Sequence, residues 1–135
     1  MNTPADDEDQ MKYLENWRRE QEEKRARKAL KKINSREKGR RGEVELSHIL
    51  QGYGYDTRRG QQYCGANGDA DVVGIPGLHI EAKRVEHLNL EAAMKQSVHD
   101  ARKDEIPVVM HRKNRSEWLV TLRLDDFMHL MGKKE

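Results

Sequence analysis

The chain has 135 residues, 37% of them charged and 35% hydrophobic, and its 26 Lys and Arg against 24 Asp and Glu leave a formal net charge of only +2. That length holds one modest core, and so polar a composition without a long apolar run excludes a membrane-spanning protein. A single cysteine, Cys64, excludes an intrachain disulfide; with an acidic start (Met1 to Asp9) unlike a signal peptide, it points to a reducing, cytoplasmic location.

Charge is distributed unevenly. Residues 1–10 are acidic and expected to be disordered, whereas residues 11–32 are rich in Glu, Arg, Lys, Ala and Leu and predict a helix. Glu20 precedes Lys24 by four residues and Glu23 precedes Arg27 by four, the favourable order for helical ion pairs. Apolar residues are sparse, with Met11, Tyr13, Leu14 and Trp17 at one end and Leu30 at the other, so this helix is expected to be solvated or to pack on a partner. From Lys24 to Arg41 ten basic residues are opposed only by Glu37. Such a block is either a solvated helix face or an arm that contacts phosphates and releases counterions from nucleic acid. Its position directly before the core favours the arm. Lys31, Lys32, Arg36, Lys38, Arg40 and Arg41, with Arg58, Arg59 and Arg84 further on, are the candidate DNA contacts.

Asn34-Ser35 reads as a break, with Ser35 a candidate cap, and a second helix is expected from about Lys38 to Tyr53. Glu43, Leu46 and Leu50 share one face of it, and Gly52-Tyr53-Gly54 stops it. Residues 55–59 predict a strand, and Gly60 to Asp69 a polar, Gly-rich loop able to approach a phosphate closely. Asp69-Ala70-Asp71 lacks the remaining spacing of a calcium loop, and Cys64 lacks partners for zinc.

The most informative stretch follows. Ile75-Pro76-Gly77-Leu78 has the Pro-Gly centre of a type II turn, so Val72-Val73 and residues 78–83 should pair as strands. After the turn, Leu78, Ile80 and Ala82 fall on one face and His79, Glu81 and Lys83 on the other. Glu81 and Asp71, on neighbouring strands, can share one hard cation such as Mg²⁺, and Lys83 beside them can orient a water or offset charge on a phosphoryl oxygen. Downstream, Asn89 is a candidate N-cap for a helix with Leu90, Ala93, Met94, Ser97, Val98 and Ala101 at helical spacing. Residues 107–112 and 117–122 predict a hairpin around a basic turn, and a short helix from Asp125 or Asp126 to about Leu130 closes the chain. His87, His99 and His111 read as surface or phosphate-neighbouring residues rather than general bases.

Asp71 followed by Glu81-Ala82-Lys83 resembles the PD-(D/E)xK nuclease superfamily, with Ala70 where a Pro often precedes the Asp. Lys38-Gly39-Arg40-Arg41-Gly42-Glu43 resembles the opening motif of archaeal and phage Holliday junction resolvases, in which a helical Glu completes the metal site. The resemblance covers about residues 35–131. It implies an α/β, restriction-endonuclease-like core, a mixed central sheet flanked by helices, with a charged helical arm outside it. The expected division is an arm over residues 1–34 and a nuclease domain over residues 35–135. The resemblance further implies a Mg²⁺-dependent endonuclease, with Mn²⁺ as a substitute, acting on the branched DNA of recombination and repair. Glu43, Asp71, Glu81 and the Ala82 carbonyl would hold the metal, Lys83 would serve the attacking water, and Gln96 would be auxiliary. Glu45 competes with Glu43, but about 200° separates the two on a helix and both cannot face one ion. Two symmetric cuts in a four-way junction imply a homodimer. Phage origin fits this family. A restriction- or repair-type nuclease is the first alternative, and a non-catalytic DNA-binding or assembly protein the second.

Overall fold

The computed structural model describes residues 4–61 and 70–132. Cys64, Asp69 and the rest of the Gly-rich loop over residues 62–69 lie outside the described residues. The elements in order are α1 (Pro4–Gly52), β1 (Arg58–Arg59), β2 (Val72–Val73), β3 (Leu78–Arg84), α2 (Leu90–Asp100), β4 (Ile106–Arg112), β5 (Leu119–Leu122) and α3 (Leu124–Met131). The chain divides into two compact units, Met1–Glu37 and Lys38–Glu135.

In the first unit, the helix runs through Asn34-Ser35, where the sequence predicts a break. Neither residue removes a backbone donor, and the Ser35 hydroxyl donates to the Lys31 carbonyl four residues back at 3.0 Å, which satisfies it inside the helix. Met11, Tyr13, Leu14, Trp17, Leu30 and Ile33 are all exposed.

The second unit is a five-stranded mixed sheet in the order β1-β2-β3-β4-β5, flanked by helices. β1, β2 and β3 pair antiparallel, β3 and β4 run parallel, and β4 and β5 form an antiparallel hairpin. The parallel pair requires a crossover, which α2 supplies. Asn89 caps α2 as its residue type predicts, its side-chain oxygen accepting the Ala92 N–H at 3.1 Å. Of the apolar positions expected to pack, Ala93 is fully buried and Val98 is exposed.

One sheet face carries the core. Val72 pairs with Ile80 and Ile80 with Val108, so three fully buried side chains lie side by side across three strands. Leu46 of α1 and Met110 complete this cluster, with Leu50, Leu78, Ala82 and Trp118 around it. Gly42 permits the approach of α1, since a Cβ there would stand 3.0 Å from the Cβ of Arg84.

The strand expected over residues 55–59 shortens to Arg58–Arg59. Thr57 is tied to α1 instead: its hydroxyl donates to the Ser47 carbonyl at 2.7 Å, and its own carbonyl accepts from Gln51 at 2.8 Å. Gly74 packs against this segment at φ 118°, and a Cβ there would fall 2.2 Å from the Asp56 carbonyl oxygen. Gly77 occupies the turn at φ 82° and opens onto free space, with the Leu78 N–H donating to the Ile75 carbonyl at 3.3 Å. Gly74→Ala is therefore expected to cost about 2 kcal/mol or more, combining backbone strain with a backbone clash. Gly77→Ala carries only the conformational term, about 1 kcal/mol. Denaturant unfolding of the two variants checks the order.

Candidate metal centre

Asp71 lies at the bend leading into β2. Its backbone N–H donates to the Ile80 carbonyl at 3.0 Å and its carbonyl accepts from Gly60 at 2.9 Å, which fixes the residue against β3. Its Oδ2 accepts the Ala82 N–H at 2.9 Å, so the carboxylate lies along the strand that carries Glu81. Two further carboxylates act on it, Glu81 and, more weakly, Glu43, although the three do not gather closely enough to form one ligand group. Burial is the largest cause of a rise in the Asp71 pKa to about 7; the charge of Glu81, a hydrogen bond shared with Glu81 and the charge of Glu43 add to it, against the Ala82 N–H, which lowers it. Carboxylates packed this closely retain a proton unless a cation offsets them.

Glu81 projects to the sheet face opposite the core. That face is covered, so His79 and Glu81, read from the sequence as polar-face residues, are only 2% and 4% exposed. α2 lies over it: the hydroxyl of Ser97, fully buried, donates to the Val108 carbonyl at 3.1 Å and approaches the His79 carbonyl at 3.4 Å. Glu43 arrives from α1, 8% exposed, and receives Arg59 Nε on Oε2 at 2.6 Å. Glu45 turns elsewhere. It accepts Trp118 Nε1 at 3.0 Å and forms ion pairs with Arg84 at 3.3 Å and with Arg112 at 3.2 Å.

Lys83 is half-buried, two residues beyond Glu81 on β3, with no hydrogen-bond or ion-pair partner among the described residues. Ala82 gives its N–H to Asp71, and Gln96 is exposed on α2. Of the candidate DNA contacts, Lys31, Lys32, Arg36, Arg40, Arg41 and Arg58 are exposed and Lys38 is half-buried. Arg59 and Arg84 are engaged by Glu43 and Glu45.

Two residues of this region escape a reading of the sequence. His79 lies on the same strand face as Glu81, and its Nε2 stands 3.1 Å from Glu81 Oε1. Asp100, at the end of α2, brings a carboxylate oxygen to the same place: donor atoms of His79, Glu81 and Asp100 all lie within 4.8 Å of one another, a group able to hold a metal ion. Burial lowers the proton affinity of His79, but the hydrogen bond and charge of Glu81, then the charges of Glu105 and Asp100, outweigh it and leave the imidazole above its ordinary value. Strand alternation could have singled out His79. Asp100 had no signal, because only the β3–α2–β4 crossover brings it near.

The comparison with solved structures finds a similar one. It is that of Archaeoglobus fulgidus Hjc, a Holliday junction resolvase from an archaeal hyperthermophile, at 24% identity over 61% of this chain and 74% of that one, with a TM-score of 0.48. No protein-family model and no curated protein matches the chain.

The donor set suits a hard divalent cation. Asp71 and Glu81 offer carboxylate oxygens, the ligands Mg²⁺ takes, and the charge crowded at Asp71 is of the sign a cation relieves. The consequence for stability has a definite sign. The Asp71 pKa is 3.8 ordinarily and about 7 in the fold, so its contribution is present below pH 3.8 and is lost as pH rises through about 7. A Mg²⁺ held at Asp71 would compete with that proton and would stabilise by binding the folded state alone. The rise in melting temperature from EDTA to Mg²⁺ is therefore expected to be larger at about pH 8 than at about pH 5. Thermal unfolding under the four conditions checks it; an equal rise at both pH values would remove Asp71 from the metal centre.

Proposed function

We propose that this protein is a Mg²⁺-dependent, structure-specific DNA endonuclease that hydrolyses phosphodiester bonds in four-way junctions. What supports the reading is that the Asp71 carboxyl, at the bend before β2, is acted on by Glu81 of β3 and, more weakly, by Glu43 of α1, with Lys83 next along β3.

In this reading Asp71 and Glu81 hold the metal and Glu43, oriented by Arg59, completes the acidic wall. When bound, Mg²⁺ supplies Lewis-acid polarisation of the phosphate and acidifies a water. The Ala82 N–H keeps the Asp71 carboxylate from swinging out of line. The Lys83 ammonium orients the attacking water and offsets charge developing on the phosphoryl oxygens. Exposed Lys and Arg of α1 neutralise DNA phosphates, which gives affinity without reading sequence.

Two symmetric cuts require two such sites, so the proposal includes a two-fold homodimer. Leu119 and Val120 on the edge strand β5, with Phe127 and Leu130 on α3, are exposed and offer apolar surface for that interface.

The test is cleavage of four-way junctions, linear duplex and single strands in Mg²⁺ and in EDTA. Mg²⁺-dependent cutting confined to the junction is expected. Equal cutting of linear duplex would make the protein a general nuclease of the same chemistry, and no cutting of any substrate would leave only a DNA-binding role.

A further inference from the structure

We propose that His79, Glu81 and Asp100 form a second cation site, selective for a first-row transition dication, that shares Glu81 with the Asp71 carboxylate. The inference rests on the proposed reading for the first, Asp71-centred ion only; the second ion is tested in the absence of DNA.

Geometry carries it. Ligands on opposite sides of one metal at about 2.2 Å each stand about 4.4 Å apart. The three donor atoms already lie within 4.8 Å of one another, so a small side-chain adjustment brings them onto one ion. His79 Nε2 and Glu81 Oε1, 3.1 Å apart, are at the spacing of adjacent ligands.

The other edge of the imidazole supplies a separate observation. Nδ1 faces Glu105, with Oε1 at 3.9 Å. A metal-binding histidine commonly gives its second ring nitrogen to a carboxylate, which fixes the tautomer and raises the basicity of the ligating nitrogen. Glu105 Oε1 accepts the Arg102 N–H at 2.8 Å, which holds it beside the ring, and a shift of about 1 Å would bring it into hydrogen-bond reach of Nδ1. Access exists too: a cavity of about 300 Å³ is lined by His79, Asp100, Arg102 and Glu105. Among the described residues lining it, the carboxylates of Asp100 and Glu105 outnumber the guanidinium of Arg102. Asp100 also pairs with His99 at 3.0 Å, but His99 is exposed and its imidazole is readily displaced into solvent.

The chemistry of the donors sets the class of ion. Mg²⁺ takes an all-oxygen shell and keeps its waters, whereas imidazole with carboxylates suits transition dications, whose affinities rise toward the end of the first row. The buried nitrogen of His79 therefore distinguishes this site from the Asp71 centre, and Glu81 stands between the two.

Co²⁺ is the probe, added to the full chain without DNA and followed by calorimetry, by visible absorbance and by proton resonances shifted by the paramagnetic ion. The wild type is expected to take two Co²⁺ per chain, with excess Mg²⁺ displacing one and Zn²⁺ displacing both. A shifted imidazole N–H resonance should accompany the ion that Mg²⁺ leaves in place. His79→Ala should lose that resonance and retain one Co²⁺, wholly displaced by Mg²⁺. Asp71→Asn should do the reverse, keeping the resonance and the Mg²⁺-resistant ion. Asp100→Asn, at a half-exposed position that tolerates substitution, provides the loss independently should His79→Ala fail to fold. A wild type without a shifted imidazole resonance, or an Asp100→Asn variant that keeps both ions at wild-type affinity, would overturn the proposal. Persistence of the resonance with no junction cleavage would sustain it while removing the nuclease reading.

Discussion

Asp71→Ala and Glu81→Ala are expected to leave four-way junctions bound and uncut. Both carboxylates belong to a crowded acidic centre, and Asp71 feels Glu81 and Glu43 at once. Removing either takes an oxygen ligand from the proposed metal but no positive charge from the DNA-facing surface. Affinity comes mostly from Lys and Arg neutralising phosphates, so it should be close to wild type or slightly higher for the loss of a negative charge. Single-turnover cleavage should fall below detection, because both polarisation of the phosphate and acidification of the water depend on the ion. Lys83→Ala should be less severe, slower by about 10²-fold, the scale of losing one group that stabilises charge in the transition state. It should fold normally, since the Lys83 side chain makes no hydrogen bond or ion pair among the described residues and the backbone pairing with β4 is kept. Gel-shift affinity beside single-turnover rates separates binding from chemistry for all three. Full activity of Asp71→Ala in Mg²⁺ would sink the assignment.

Deleting residues 1–33 should weaken junction binding and flatten its salt dependence while sparing the chemistry. The deletion removes Lys24, Arg25, Arg27, Lys28, Lys31 and Lys32, all exposed on α1. Each that touches a phosphate contributes about 0.9 to the slope of log affinity against log salt, so the slope should shrink by that amount per lost contact. The compact unit Lys38–Glu135 stays intact, and so do Glu43, Asp71, Glu81 and Lys83. Cleavage at saturating protein should therefore survive. The measurement is junction affinity across a salt series for both lengths of chain. Equal affinities and equal slopes would leave the arm a solvated segment or a protein-docking one. Loss of folding would instead mean that Tyr13, Leu14 and Trp17, exposed in the single chain, are needed by a second copy.

What the sequence discloses depends on how far its signals reach along the chain. The Ile75–Leu78 turn and the Asn89 cap each depend on a four-residue window, and both form as their residues dictate. The order of elements follows from periodicity, and the pairing of β2 with β3 follows from the turn. The break at Asn34-Ser35 does not form, because a polar pair tolerated inside a helix resembles a pair that ends one. β1 is shorter than expected since Thr57 bonds to Ser47 ten residues earlier, a contact without local signature. The site divides in the same way. Strand alternation across one hairpin singles out Asp71, Glu81 and Lys83 as candidates, and the fold lays the Asp71 carboxylate along the strand that carries the other two. Arg59 reads as a DNA contact because its charge is visible and its pairing with Glu43, sixteen residues away, is not. His79 looks like part of a solvated face until α2 is laid over the sheet, and Asp100 joins it only through the parallel crossover.

Mg²⁺-dependent cleavage of a four-way junction by the wild type and by Asp71→Asn, measured side by side under single-turnover conditions, tests the metal-dependent nuclease most directly. Asn keeps the size of the side chain and an oxygen for the Ala82 N–H, while removing the charge. Paired cuts by the wild type in Mg²⁺ are expected, with none in EDTA and none by Asp71→Asn despite undiminished binding. Cleavage by Asp71→Asn at the wild-type rate, or cutting by the wild type that EDTA does not stop, would contradict a metal centre at Asp71.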